Sequence, residues 1–387
     1  MRSDLVDDLA VYIHWPFCLS MCPYCDFNSH VAEGTDQKRW RAAYRAEIGH
    51  AAAAGPRLVT SVYFGGGTPS LMEPATVAAV LQAVGGAWTL QGDAEITLEA
   101  NPTSVETGRL AEFRDAGINR VSLGVQSLDQ TVLDFLGRTH TVPETRAAIE
   151  AAAGIYERWS MDLIYARPGQ NLTAWRAELD DALEYGPRHL SAYQLTIEKG
   201  TPFFAAHRDG AFTLPGEDLG AALYEATGDA LRAAGLAAYE VSNYAAPGEE
   251  SRHNLSYWRY RDYAGIGPGA HGRVTVDGTV RATRRIAAPQ AWLQQVEAKG
   301  HGLQGDEALG PRTVRDEVTM MGLRLAEGIE RGAFEARTGQ SFEAAFDAGR
   351  WSALVDEGLL ILGATHIRAT RTGRLRLNAL LSHLLDH

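Results

Sequence analysis

At 387 residues, 45% apolar and 22% charged, the chain has the make-up of an ordinary globular protein of two or three domains. Its net charge of −12 argues against nucleic acid as the main partner, because phosphate binding takes a cationic footprint. There is no charged-then-apolar leader with a small-residue cleavage site and no uncharged run of 18 or more apolar residues, so the expectation is a cytoplasmic, not membrane-spanning, protein.

The first half alternates strand-like and helix-like segments. A β-run at Val11–Ile13 enters a loop that holds all three cysteines of the chain, Cys18, Cys22 and Cys25. Thr35/Asp36 can cap a helix to Ala54 with Trp40, Tyr44 and Ile48 on one face and Gly55 as its stop. Leu58–Phe64 is a second strand, ending in Gly65-Gly66-Gly67-Thr68-Pro69. Pro74 then fits the first position of a helix that Gly85-Gly86 closes. Ile96–Glu99, Val121–Val125, Met161–Ile164 and Leu190–Leu195 read as strands three to six, with helices near Val105–Ala116, up to Ala153, and Trp175–Tyr185 between them. Repeated β-α units of this size predict a parallel sheet with covering helices, either an open sheet or an incomplete barrel. Beyond Pro215 the rhythm breaks. Asp218–Ala234 reads as one long helix, Val241–Gly272 as irregular and Gly300–Pro311 as a Gly/Pro-marked connection. The tail reads as helices Val314–Ala326, Phe342–Asp347 and Ser352–Glu357, then β-runs Leu359–Leu362 and Ile367–Thr370. That order suggests a small winged-helix-like module whose Arg368, Arg371, Arg374 and Arg376 could make a DNA-contacting wing; the acidic balance favours a solvated basic turn instead. The expected units are therefore 1–215, 216–305 and 306–387.

Three cysteines inside one eight-residue window cannot act as spread-out disulfide staples, and an odd count leaves one unpaired. They can wrap one compact soft metal centre. A [4Fe–4S] cluster normally takes four thiolates, so three would leave one iron open for a ligand. A Cys3His zinc site using His14 or His30, or three inert buried cysteines, are the competing readings. The loop Gly65–Pro69 allows close backbone approach to a ligand but equally fits a tight turn. The cysteine loop, the glycine loop, Glu99, Gln126 and Asp162 fall at or just past strand ends, where ligands bind in (β/α) barrels and open α/β sheets alike; Glu99, Gln126, Arg138 and Asp162 each also read as structural polar residues.

The C-x3-C-x2-C spacing with Tyr24 before the third cysteine resembles the signature of radical S-adenosylmethionine (SAM) proteins, in which SAM chelates the open iron. More narrowly, Tyr12-Ile-His-Trp-Pro-Phe-Cys18, Phe64-Gly-Gly-Gly-Thr-Pro69, Glu99-Ala-Asn-Pro102, Gly124-Val-Gln-Ser127 and Gly137-Arg-Thr-His140 resemble the anaerobic coproporphyrinogen oxidase family. The resemblance implies a partial (β/α)6 barrel with a smaller C-terminal helical domain. It places Tyr12, Gly66 and Glu99 on the cluster-bound SAM, and Gly67, Thr68, Gln126, Arg138 and Asp162 around a second SAM, with Tyr24 also among the SAM-binding residues.

Two departures from the oxidases stand out. Phe27 occupies the position of their fourth cysteine, and only eleven residues precede Tyr12 where they carry a closing extension. Both match the HemW subgroup, to which a haem-chaperone role is assigned. His253-Asn254-Leu-Ser-Tyr257-Trp258 matches the His-Asn-x-x-Tyr-Trp motif of that subgroup. An imidazole can ligate haem iron and the aromatic rings can lie against a porphyrin; a loop histidine beside core aromatics is the bland alternative, and His271 is a second candidate. The resemblance thus implies haem as cargo, with acceptor haemoproteins, membrane respiratory enzymes among them, as partners. A SAM-cleaving enzyme acting on a porphyrin, by decarboxylation or methyl transfer, remains the second reading.

Overall fold

A computed structural model describes residues 8–32 and 34–385. Six parallel strands form its centre: β1 (Asp8–Trp15), β2 (Leu58–Gly66), β3 (Thr89–Ala100), β4 (Arg120–Gln126), β5 (Arg158–Tyr165) and β6 (His189–Gln194). They lie side by side in chain order, as right-handed β-α-β crossovers dictate. Six more strands extend the same sheet: β7 (Ala237–Ala238), β8 (Asn243–Ala245), β9 (Tyr263–Ile266), β10 (His271–Val276), β11 (Thr279–Arg285) and β12 (Leu303–Ala308). The full order is β12-β11-β10-β9-β1-β2-β3-β4-β5-β6-β8-β7, so the sheet is an open, partial barrel built on a (β/α)6 run.

Alternation along the strands explains both faces. Val11, Ile13, Val62, Phe64, Leu98, Val121, Leu123, Met161 and Leu190 are buried in one cluster with the helices. The helix Gln37–Ala52, capped by Asp36, adds Trp40, Tyr44 and Ile48 from a single stripe. The opposite face is unusually polar. Ser61, Glu95, Thr97, Arg120, Ser122, Ser160, His189 and Ser191 are all buried there; Ser61 and Glu95 bond to the helix Arg252–Trp258, Arg120, Ser122 and Ser160 to one another, and His189 to Tyr239.

The extension is tied to the barrel by one buried carboxylate. Glu47, on the first helix and wholly buried, accepts from the N–H groups of Gly267 and Gly302 and from Trp292 Nε1, and pairs with Arg285 at 3.0 Å. Paired and fully hydrogen-bonded, such a charge is tolerable; broken, it is strongly destabilising.

Residues 310–385 form a smaller unit. Strands β13 (Ile329–Glu330), β14 (Leu360–Leu362) and β15 (His366–Ala369) make an antiparallel sheet in the order β13-β15-β14, with a second apolar cluster around Phe334, Phe342, Leu360 and Leu380.

Several local expectations need correction. Gly85-Gly86 does not end its helix, which runs Pro74–Ala87. Val105–Ala116 is two short helices, Ser104–Thr107 and Leu110–Asp115. The irregular stretch 241–272 contains strands and the helix Arg252–Trp258, and the connection 300–311 contains β12. β12 has no β-branched residue; its strand state comes from pairing with β11, which local sequence cannot show.

Candidate functional site

The carboxyl ends of β1–β6 open on one cavity of about 1220 Å³. Cys18, Cys22 and Cys25 line it together with Tyr24 and the loop Gly66–Pro69. Glu99, Gln126 and Asp162 from three strands, with Arg138 from the loop that follows the helix Gln130–Phe135, complete the wall. One space thus gathers residues from Cys18 to Asp162, as β/α topology does for residues at strand ends.

The cysteine loop is braced from several sides. Thr68 Oγ1 donates to Cys18 Sγ at 3.4 Å and Arg138 Nη1 to Cys22 Sγ at 3.4 Å, while Ser29 Oγ lies 3.9 Å from Cys25 Sγ. Burial pushes the Cys18 and Cys25 thiols up, and the hydroxyls of Thr68 and Ser29 pull the other way. Such donors favour thiolates that a soft metal centre would use. Asn28 donates to the carbonyls of Pro268 and Ala287, fixing the loop's return. His14 and His30, the alternative zinc ligands, are otherwise engaged. Both ring nitrogens of His14 are bonded, to Tyr12 Oη and to the Asn28 carbonyl, and His30 Nε2 is bonded to Asn28 Oδ1. Among the described residues no three His, Cys, Asp or Glu side chains converge as a single-ion site.

The glycines are needed where they stand. Gly66 has φ +117°, and a Cβ there would lie 2.6 Å from the His14 ring; one at Gly67 would lie 3.0 Å from Cys18 Sγ. Gln126 also takes a left-handed φ, +66°, at the end of β4, strain of the kind found at ligand sites.

Glu99 is held by two donors, Tyr63 Oη at 2.8 Å and the Gly66 N–H at 3.2 Å. Burial raises its carboxyl to about 7, with the nearby Asp162 adding to the rise and the Tyr63 and Gly66 hydrogen bonds opposing it. Burial likewise lifts Asp162 to about 6 against hydrogen bonds from Ser191 and Ser122. Asn101 joins the two halves of the wall, donating to Thr68 Oγ1 at 3.1 Å and accepting from Arg138 Nη2 at 2.5 Å. Asn101 and Tyr63 were not expected here. Asn101 stands inside the quoted Glu99-Ala-Asn-Pro motif, whereas nothing local to Tyr63 marks it.

The Tyr12 side chain sits behind the wall, stacked on Tyr63 at 6.3 Å. The haem candidates are not on the cavity surface. His253, 1% exposed, is inside the barrel, with Nδ1 2.9 Å from Ser61 Oγ, Nε2 2.7 Å from Tyr257 Oη, and its ring stacked 4.9 Å from Tyr63. Burial lowers its pKa to about 3, so the ring is neutral. The expectation of an open axial ligand is therefore not met in this arrangement: neither ring nitrogen is available to an iron while this helix stays docked. Asn254 Nδ2 reaches Tyr239 Oη at 3.5 Å, and Trp258 lines a separate cavity of about 180 Å³. His271, on the surface of β10, is away from both cavities.

The Radical SAM superfamily model matches residues 12–182, and the HemN C-terminal domain model matches residues 310–376. The chain is 37% identical to the heme chaperone HemW of Escherichia coli K12 over 382 residues, covering 97% of this chain and 98% of that protein. It belongs to the HemW family. A HemW of Mycobacterium tuberculosis is 38% identical over 97% of this chain and 94% of its own length. The mitochondrial radical S-adenosyl methionine domain-containing protein 1 of Bos taurus is 40% identical over 97% and 87%. The structure of E. coli HemN, a coproporphyrinogen III oxidase, superposes with a TM-score of 0.80 at 24% identity, over 98% of this chain and 90% of that one. That likeness supports the fold of this HemW-family chain, the partial radical SAM barrel with its C-terminal domain. No helix among the described residues is long and apolar enough to cross a membrane.

Proposed function

We propose that this HemW-family protein is a cytoplasmic haem chaperone that holds haem at the mouth of its strand-end cavity and passes it to an acceptor haemoprotein. The observation that carries the reading is the cavity itself: it is large enough for more than one ligand, and its lining runs from the three cysteines to an apolar and cationic rim. Cys18, Cys22 and Cys25 would hold a [4Fe–4S] cluster with Thr68, Arg138 and Ser29 as donors to the sulfurs. Gly66 and Glu99 would receive SAM, with Tyr12 and Tyr24 behind and beside it. Gly67, Thr68, Gln126, Arg138 and Asp162 offer the polar surface for a second SAM. When bound, such a cluster supplies one-electron chemistry to SAM; the chain orients the ligands and limits water.

Phe27 supports the chaperone over the oxidase. It replaces a cysteine with a side chain that is 64% exposed on the cavity rim, which suits a hydrophobic cargo. The test is anaerobic reconstitution followed by two parallel assays, haem transfer to an apo-haemoprotein and coproporphyrinogen decarboxylation. About four irons per chain, haem transfer and no decarboxylation are expected. Turnover of coproporphyrinogen would establish the enzyme instead.

A further inference from the structure

The rim of the cavity has two chemistries side by side. Among the described residues nine large apolar side chains are exposed, and four of them, Leu19, Phe27, Tyr193 and Leu375, line this one opening. Arg324, Arg374 and Arg376 line the same cavity from the C-terminal unit. None of the three is in an ion pair among the described residues, in an acidic chain where most other arginines are paired, Arg371 to Asp229 and Arg337 to Asp262 among them. Arg374 donates to the Ala369 carbonyl at 3.3 Å, which fixes its direction without neutralising it. Arg324 has a buried Nε with no hydrogen-bond partner, and its guanidinium lies over the Trp258 ring, 5.4 Å from the centroid.

We infer that Arg324, Arg374 and Arg376 form a carboxylate clamp for the propionates of a haem whose apolar ring edge rests on Phe27, Leu19 and Leu375, and that Trp258 positions Arg324 in it. The inference rests on the haem reading above and gives it a location. Guanidinium groups suit carboxylates because their donors match both oxygens at once, and an unpaired set in a partly enclosed cavity is electrostatically strong. The rim supplies what a flat apolar dicarboxylate needs, with Leu19 and Phe27 from the cysteine loop facing Leu375 and the arginines of the C-terminal unit across one opening. The clamp also gives the HNxxYW motif a physical task that needs no open histidine: Trp258 acts on the cavity from behind, through a cation–π contact. His253 stacks on Tyr63, whose hydroxyl donates to Glu99.

The experiment compares ferric haem with haem dimethyl ester, in which both propionates are capped, by titration of the cluster-loaded protein. The natural protein should prefer the free acid at least tenfold. The double variant Arg374→Gln/Arg376→Gln should lose most of that preference through weaker binding of the acid, with ester affinity little changed. Trp258→Leu should narrow the preference in the same direction, and Trp258→Phe, which keeps a π-face, should restore part of it. Melting curves verify that each variant folds. Equal affinity for acid and ester in the natural protein, or variants that weaken both forms alike, would overturn the clamp while leaving the chaperone reading intact. Binding of neither form would overturn the haem reading itself.

Discussion

Replacing Tyr63 by phenylalanine tests how Glu99 is controlled. The change removes one hydroxyl and leaves the ring that stacks on Tyr12 and His253. That hydroxyl donates to Glu99 Oε1 at 2.8 Å, and the remaining donor, the Gly66 N–H, is longer at 3.2 Å. A hydrogen bond to a charged acceptor is worth about 1.5–3 kcal/mol. Water in the cavity can replace part of it, so a net loss of ~1.4 kcal/mol, about one pH unit, is reasonable. The carboxyl should therefore move from about 7 to roughly 8. A ribose hydroxyl donates to an ionised carboxylate, so SAM affinity should rise with pH through these midpoints. Equilibrium dialysis of SAM against cluster-loaded protein from pH 6 to 9 would show the variant's curve displaced to the alkaline side. The ionisation is also visible without SAM. Because the folded-state value lies above the ordinary 4.5, the folded chain keeps a proton that the unfolded chain has released. Stability contributed by this group is thus present below 4.5 and lost as pH rises to about 7, up to ~3 kcal/mol before allowance for solvent at the cavity wall. In Tyr63→Phe the loss should extend further up the pH scale, and Glu99→Gln should abolish it. Superimposable pH curves for Tyr63→Phe and the natural protein would refute the argument.

Gly66→Ala should leave the iron content near the natural value yet weaken SAM binding at least tenfold. Its Cβ must push the His14 ring or the Trp15 carbonyl, 2.6 and 2.8 Å away, from a φ that only glycine takes easily; dialysis and iron analysis check it. His253→Ala should destabilise the protein by about 3–5 kcal/mol, since it opens a cavity and leaves the Ser61 and Tyr257 hydroxyls without their partner. Denaturant melts measure this, and haem titration accompanies them. A melt within about 1 kcal/mol of the natural protein together with a lost haem band would return His253 to the role of iron ligand.

Strand-end residues were legible from sequence because a parallel β-α rhythm forces them to one face, so the cysteine loop, Glu99, Gln126 and Asp162 could be placed together without coordinates. What could not be read were partners distant in the chain. His253 reads as an exposed loop ligand when only its aromatic neighbours in sequence are visible; its neighbours in space, Ser61 and Tyr63, lie nearly 200 residues earlier. The arginine turn 371–376 looked like a solvated wing because nothing local shows that Arg374 and Arg376 face the cavity. Glu47 likewise passes for an ordinary helix-surface carboxylate, and only the fold reveals that Arg285, Trp292 and two glycines close over it.

The contacts of Asn28 and Glu47 set an order of events during synthesis. The return of the cysteine loop is fixed by carbonyls of Pro268 and Ala287, and the first covering helix is completed by Gly302. A ribosome adding 5–20 residues per second reaches that point only after roughly 15–60 s. Until then the nascent cysteine loop has no finished seat and Glu47 lacks its partners. If the three cysteines hold a cluster as proposed, its insertion is therefore expected as a late step, after some three hundred residues have been made, on an almost complete barrel rather than an emerging N-terminus.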